Sequence, residues 1–417
     1  MHIAMISGEY PPRWGGMGST VYHLSSKLAE MGHRISVITR KSKGQAPVIE
    51  GVDIIQVPWA KIPMAFTRSF GRTALRALLR LHKQEKVDVV HLHCPMASWD
   101  GSQFDKCRRE IGPIVSSMHG TWLGERDGLL LAAKYGEPAV WANPNDIAIR
   151  LLARRYAKFE KIAIRKSTVV VPNSNATKAD LESRYQAPPD WDCQVIHWGV
   201  DTSMFTPPHG DSEDQAHLSS EIRKRYSISK ETTLVLAVGR LAARKGHGML
   251  LNALARVLES ENAHLVIIGR GSLKKRLFRM ASKLGISSNI SIESEMDFRE
   301  IAEMYRVADI VAYPSYYEGQ GLIPLEAMAS STPVITVDHG PLPEMVDESV
   351  GRLFKMGSVN SLADAIISEI SSKSEMTGKG SKGRSRVLNE FNLEGNANDF
   401  LEVYERAIIT FNSQGNS

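Results

Sequence analysis

Residues 313–346 read YPSYYEGQGLIPLEAMASSTPVITVDHGPLPEMV, directly after the apolar run Asp309-Ile-Val-Ala-Tyr313. That run is short and continuous, which predicts a buried parallel strand. Gly319 and Gly321 punctuate the turn after it. A helical segment follows, and Pro333-Val-Ile-Thr-Val337 predicts a second buried strand. Strand, turn, helix and strand in this order make a βαβ unit, and in open α/β sheets ligands bind outside the carboxyl ends of the strands. Two carboxylates mark the place: Glu318 in the turn and Glu326 on the helix, eight residues apart and so free to do different jobs.

The chain has 417 residues, 42% hydrophobic and 23% charged, which favours a globular protein of two domains over a single core or a disordered chain. No apolar run reaches the roughly 18 residues that predict a membrane-spanning helix. The N-terminus opens as a strand, without a basic flank or cleavage site, so no signal peptide is expected. Cys94, Cys107 and Cys193 are odd in number and lack metal spacing, which points to a reducing compartment. A cytoplasmic location is expected. The net charge of +5 is uneven: the first 200 residues are basic and the remainder mildly acidic. A basic half suits an anionic partner or simply a solvated surface.

Working outward, the first half alternates strands and helices. Strands are predicted at 2–7, 34–39, 52–59, 87–93, 113–118 and 168–171. Helices are predicted at 19–31 with Ser19 as N-cap, 66–84, 146–165 and 176–185. The segment 199–232 is polar and turn-rich and reads as a linker and hinge. The rhythm then restarts, with strands at 233–238, 264–269, 290–293 and 353–355, and helices at 246–259, 273–284, 300–307 and 359–370. A Gly/Ser/Lys-rich break is predicted at 371–383 and a last helix at 394–411. Two doubly wound halves in succession imply an α/β protein of two Rossmann-like domains facing across an interdomain cleft. The division expected is 1–198 for an acceptor-side domain, 199–395 for a donor-binding domain, and 396–417 for a helix crossing back to the first.

Four groups at predicted strand ends can carry chemistry. Gly15-Gly16 follows the first strand, where backbone amides and a helix start can approach a phosphate; a plain tight turn explains the pair equally well. The dinucleotide fingerprint is absent, because Gly-Gly-Met-Gly lacks its six-residue glycine spacing. His119, in Met-His-Gly-Thr, can bond a substrate hydroxyl or serve as a satisfied structural histidine. Arg240 and Lys245, five residues apart in Gly-Arg-Leu-Ala-Ala-Arg-Lys-Gly, suit a diphosphate. In the opening stretch, Glu318 can accept bonds from sugar hydroxyls, Glu326 can take both hydroxyls of a ribose, and the amides of Gly319, Gln320, Gly321 and Leu322 can hold a phosphate.

Taken together these residues resemble a family. GRLxxxKG carrying Arg240 and Lys245, followed by Glu318 and Glu326 in E-x7-E, is similar to the signature of family-4 glycosyltransferases of the GT-B fold. The resemblance spans nearly the whole chain and includes YPPRWGG, VDVVHLH, MHGT, VVPNSNATKADL, GVDTSMF, VIIGRGSL, ADIVAYPS and EAMASSTPVI. It implies a retaining hexosyltransferase that uses a nucleotide-diphosphate sugar, a UDP-sugar or GDP-mannose, with no cofactor and no metal. The acceptor implied is a glycan or a lipid-linked molecule in cell-envelope or glycan biosynthesis, and no nucleic acid is expected. Carried over by position, Arg240 and Lys245 stabilise the departing diphosphate, Glu318 positions the donor sugar and Glu326 binds the ribose. Gly16 lets a loop approach the diphosphate, and His119 contacts the sugar near its anomeric centre. A donor phosphate oxygen then takes the acceptor's proton. Three positions depart from the pattern: Gln320, where an aromatic residue is common between the glycines; Ser330-Ser331, in place of Cys-Gly; and Trp198, where Asn is usual.

Residues 61–86 hold Arg68, Arg72, Arg76 and Arg80 at four-residue intervals, one drifting row on a helix. Such an element predicts either a peripheral seat on the anionic inner face of a membrane or a helix that solvates its arginines. Two other classes compete with the enzyme: a non-catalytic nucleotide-sugar-binding subunit on the same fold, and a dinucleotide oxidoreductase, which the missing glycine fingerprint disfavours.

Overall fold

A computed structural model describes residues 1–12, 15–138, 140, 141, 143–208 and 213–415, with the side chains of 373–375 left aside. Arg13 and Trp14 of the glycine-rich turn and residues 209–212 of the expected linker lie outside the described residues. The chain divides into two compact units. One comprises Met1–Arg126, Ala148–Gly199 and Leu393–Ser417, and the other Asp127–Ile147 and Val200–Asn392.

Each unit is built on a six-stranded parallel sheet. In chain order the first half forms β1 (His2–Ser7), α1 (Gly16–Glu30), β2 (Arg34–Arg40), β3 (Val52–Val57), α2 (Ala65–Gln84) and β4 (Val89–Cys94). It continues with α3 (Gly101–Glu110), β5 (Ile114–Met118), α4 (Trp122–Lys134), α5 (Pro144–Lys166), β6 (Val169–Pro172) and α6 (Asn175–Ser183). The second half forms α7 (Glu213–Arg225), β7 (Thr233–Val238), α8 (His247–Val257), β8 (Ala263–Ile268), α9 (Lys274–Lys283), β9 (Ile290–Glu293), α10 (Phe298–Val307) and β10 (Ile310–Tyr313). It ends with α11 (Leu322–Ala329), β11 (Val334–Val337), β12 (Gly351–Phe354), α12 (Val359–Ser371), α13 (Lys373–Glu390) and α14 (Leu393–Gly415).

The strand orders are β3-β2-β1-β4-β5-β6 and β12-β11-β10-β7-β8-β9. In both, the chain builds outward from a first strand, then returns to that strand's other edge. The reversal falls between β1 and β4 in one sheet and between β7 and β10 in the other, and at such a switch point the flanking loops diverge and leave room for a ligand. Strands β1, β4, β5, β8, β10 and β11 are buried along their whole length, as expected where helices cover both faces of a parallel sheet. Among the described residues no helix is long and apolar enough to cross a membrane. The three cysteines are free thiols.

Several elements differ from the sequence expectation, each for a physical reason. α1 begins at Gly16 with extended Gly15 as its N-cap, not at Ser19, whose amide already bonds the Gly15 carbonyl inside the helix. The expected linker holds helix α7, tied down by Arg223, which bonds the carbonyls of Ser229 and Thr232 and the carboxylate of Asp309. The expected break at 371–383 is mostly helix α13. Two of its glycines are packing residues: a Cβ on Gly380 would stand 2.0 Å from the Ser331 carbonyl oxygen, and one on Gly383 3.2 Å from Met328. They let α13 lie close to the end of α11.

Residues 127–147, placed in the first domain by the sequence reading, group with the second unit. Gly128 packs on Tyr317, Tyr135 stacks on Tyr316 with ring centroids 5.9 Å apart, and buried Glu137 accepts bonds from the amides of Gly248 and Met249. In α2 the arginine row is incomplete. Arg68 turns inward to Asp100 at 2.6 Å, the Ser98 carbonyl and Gln103, and lies over Phe159. Arg72, Arg76 and Arg80 are exposed.

Candidate active site

At the switch point of the second unit, β7 and β10 pair in parallel with Ile310 opposite Val235 and Val311 opposite Leu236. Their carboxyl ends carry the loops Gly239–Gly246 and Pro314–Gly321. The two loops are pressed together at Gly246, where φ is +73° and a Cβ would sit 2.0 Å from the Pro314 carbonyl oxygen. Only glycine relieves both constraints. The contact is fastened by the Tyr316 amide and the Ser315 hydroxyl, which both donate to the Arg244 carbonyl, at 2.8 and 3.2 Å.

This approach brings Lys245 and Glu318 together. The Lys245 ammonium donates to Glu318 Oε1 and, at 2.9 Å, to the Tyr313 hydroxyl. Tyr313 and Ser315 donate to the same Oε1 at 2.7 and 2.5 Å. Three donors thus converge on one carboxylate oxygen, and among the described residues none bonds Oε2. Burial by itself raises a carboxyl, but Lys245, Arg244 and the bonds from Lys245 and Ser315 outweigh it and hold Glu318 at about 2. Burial pushes Lys245 down to about 8 against the pull of Glu318, and the nearby Arg244 and Arg240 add to the depression. The site therefore carries surplus positive charge, with Arg244 buried and the Arg240 side chain exposed.

Helix α11 starts in the same loop. Gly319, Gln320 and Gly321 are buried, Gly321 is the N-cap with φ +113°, and Leu322 is the first helical residue. The first turn has no acidic residue, so its open amides and the helix dipole favour an anion there. Glu326 lies one turn in and accepts a 2.9 Å bond from Tyr305. Burial pushes its carboxyl up to about 7, offset only in part by that bond. The neighbouring helix start, at α8, is already occupied: Glu137 Oε2 and Oε1 accept from Gly248 and Met249 at 2.9 and 2.8 Å.

In the first unit, His119 follows β5 and Gly16 opens α1. Gly16 is exposed, and a Cβ added there would meet nothing within 4 Å among the described residues. His119 sits in a stack of rings. His91 and His93 alternate along β4, His93 pairs in register with Ser117, and His93 Nδ1 lies 2.9 Å from His119 Nε2. His119 lies face to face with Trp198, centroids 4.9 Å apart and planes 10° from parallel, and Trp198 stacks on Phe400 of α14. One turn further along α14, the Tyr404 hydroxyl bonds His91 Nδ1 at 2.7 Å. Burial holds His119 at about 3 and keeps His91 and His93 well below the usual imidazole range, so all three rings are neutral at pH 7.

The structure thus joins Lys245 to Glu318, sets Arg240 on the Lys245 loop and Glu326 on the adjoining helix, and places His119 and Gly16 in the other unit. Sequence reasoning missed Tyr313, Ser315 and Arg244 around the ion pair, Tyr305 behind Glu326, and His93 and Trp198 around His119. Arg244 was the most accessible of these, one residue from Lys245. The others become visible only when strand ends are brought side by side.

Residues 14–204 match the model of Glycosyltransferase Family 4, and residues 219–386 that of Glycosyl transferases group 1. Among similar proteins is an uncharacterized glycosyltransferase of Methanocaldococcus jannaschii, 28% identical over 85% of each chain. The MMP alpha-(1->4)-mannosyltransferase of Mycolicibacterium hassiacum is 26% identical over 98% of each. The glycogen synthase of Mycobacterium tuberculosis is 27% identical over 97% of this chain and 94% of its own. Among solved structures, the sucrose-phosphate synthase of Thermosynechococcus elongatus superposes with a TM-score of 0.78 at 22% identity, covering 97% of this chain and 98% of that one. These likenesses establish the GT-B fold.

Proposed function

Because the chain belongs to the group 1 glycosyltransferases, a family of glycosyl-transferring enzymes, we propose that it moves a hexosyl group from a nucleotide-diphosphate sugar to a glycan or lipid-linked acceptor, with retention of anomeric configuration and without a metal. The observation that carries this reading is the Lys245–Glu318 pair with its surplus cations at the switch point of the second unit.

In this reading the donor's diphosphate lies at the open α11 start, against the amides of Gly319, Gln320, Gly321 and Leu322. Lys245 and Arg240 neutralise it as the bond from the anomeric carbon to the phosphate oxygen breaks. Electrostatic stabilisation of developing charge in a nearly dry site is often the largest catalytic contribution. Glu318 turns Oε2 toward a sugar hydroxyl, and Glu326 accepts from the ribose. A phosphate oxygen of the leaving group takes the acceptor hydroxyl's proton as the new glycosidic bond forms on the same face, so no protein nucleophile is needed. In the first unit, the same reading has His119 donate to a substrate oxygen.

UDP-glucose is bound in a solved neighbour of the same fold, and ADP in another, which supports a nucleotide-sugar donor. The base and sugar are open to direct test. Thermal-shift and hydrolysis screening against UDP-, GDP- and ADP-sugars should single out one donor, and NMR of the product's anomeric configuration should report retention. Donor binding without hydrolysis or transfer would favour the second reading, a nucleotide-sugar-binding subunit that performs no chemistry. Arg72, Arg76 and Arg80 support an anionic membrane as the acceptor's setting, and flotation with anionic vesicles at low salt tests it. No binding there would remove the membrane from the proposal.

A further inference from the structure

Among the described residues, the ring stack in the first unit contains one histidine nitrogen that is buried without a hydrogen-bond partner. His93 is fully buried, its Nδ1 bonds His119, and its Nε2 has no partner among the described residues. His91, by contrast, has both nitrogens bonded, to Ser117 and to Tyr404. The 2.9 Å contact between His93 and His119 joins two neutral imidazoles, so one nitrogen must donate and the other accept. That requirement couples the two tautomers. If His119 donated through Nε2–H, the single proton of His93 would lie on Nε2, a buried N–H with no acceptor. If His93 donates through Nδ1–H, its Nε2 is a bare lone pair. Orphaned buried N–H groups are the rarer defect.

We infer that His93 is a positioning residue for the transfer reaction: it donates Nδ1–H to His119 Nε2, fixing the His119 proton on Nδ1, so that His119 presents an N–H donor to a substrate oxygen. The observations fit together at His119. It is only partly buried, its Nε2 is engaged, and Nδ1 is the nitrogen left over. The parallel face of Trp198 fixes the plane of the ring and so the line along which Nδ1–H points. A neutral imidazole is a donor on one edge only, so the wrong tautomer would offer a lone pair to a glycosidic oxygen, which has no hydrogen to donate. His91 braces the arrangement, with its ring 4.0 Å from that of His93 and its position set by Ser117 and Tyr404.

This inference rests on the proposed transfer reaction for its consequence but not for its test. Long-range proton–nitrogen correlation spectra of the full chain labelled with ¹⁵N-histidine, recorded without donor, report which nitrogen of each ring carries the proton. His93 and His119 should both be protonated at Nδ1. A wild-type His119 protonated at Nε2 overturns the inference, whatever the activity shows. His93→Leu removes the donor and should move His119 toward the Nε2–H form, and His93→Gln, whose amide N–H can donate, should restore Nδ1–H. An unchanged His119 in His93→Leu also overturns the inference. Once a donor sugar is known, His93→Leu should lower turnover roughly tenfold, the worth of one hydrogen bond to the reacting substrate, with recovery in His93→Gln. Loss of melting temperature in both variants with an unaltered His119 spectrum would make His93 a packing residue only.

Discussion

The Lys245 ammonium and the Glu318 carboxylate neutralise each other in a site only about a tenth exposed, with two hydroxyls donating to the same oxygen. The pair is unequal, for Glu318 is held deep in its charged form while Lys245 sits near 8. On the proposed assignment, catalysis needs the charged lysine. The value of kcat/KM, which follows ionisations of the free enzyme, should therefore fall as pH rises through about 8. In Lys245→Arg that alkaline limb should disappear, because a guanidinium stays charged. Lys245→Ala and Glu318→Ala should each lower transfer by about 10²–10³. Near-normal turnover in both alanine variants would remove the pair from the chemistry.

Glu326 invites the opposite trade. Its carboxyl is raised to about 7 by burial, so its effect on stability is favourable below its unfolded value and is lost as pH rises through about 7. Glu326→Gln should then match the wild type near pH 4.5 and be more stable at pH 8, by roughly 3 kcal/mol. Nucleotide affinity should move the other way, because an amide offers a ribose one acceptor oxygen instead of two. Melting curves at the two pH values, with nucleotide titrations at pH 8, check both halves. A destabilised Glu326→Gln at pH 8 would show that the buried charge is already compensated.

Glu137 should prove to be a helix cap drawn from a distant part of the chain. Glu137→Ala leaves the α8 amides of Gly248 and Met249 without acceptors and should destabilise by about 2 kcal/mol. Hydrogen exchange should accelerate at these two amides first. Glu137→Gln, with one acceptor oxygen, should recover part of the loss. Unchanged exchange in Glu137→Ala would mean that the amides find other partners.

Two glycines of α13 make a matched pair. Gly380→Ala forces a Cβ to 2.0 Å from the Ser331 carbonyl, and backbone cannot yield as a side chain can. A loss of about 3 kcal/mol is expected, at the upper end of overpacking costs. Gly378→Ala meets nothing within 4 Å among the described residues and should be neutral or stabilising by up to about 1 kcal/mol, since alanine is the better helix former. Equal melting temperatures for the two variants would disprove the packing account.

The contrast between α13 and the strands shows what the sequence could convey. Strand β7 is legible to the residue because a strand buried on both faces writes a continuous apolar run, and β9 because Ile-Ser-Ile-Glu alternates in step with its burial. Gly380 and Gly383 mislead, because a glycine that breaks a helix and one that admits a neighbouring segment look alike until the neighbour is known. The site divides in the same way. Lys245 and Glu318 are legible from charge, spacing and position after a strand. Tyr313, Ser315 and Arg244 surround them only because β7 and β10 are adjacent, although 71 residues separate Ser315 from Arg244. His93 stands in a motif visible at once, VDVVHLH, yet its partner His119 is 26 residues on, and only the register of β4 and β5 makes them neighbours.

The place of residues 127–147 has a practical corollary for anyone cutting or recombining this chain. The polar stretch after Gly199 invites a cut, but a fragment covering only 200–392 would leave behind Gly128, Tyr135 and Glu137, and with them the acceptors for the first turn of α8. A hybrid spliced at residue 199 would join one parent's capping glutamate to another parent's helix. Exchanging the second unit between relatives therefore calls for two exchanged segments, with 127–147 travelling alongside 200–392 as a single inherited cassette.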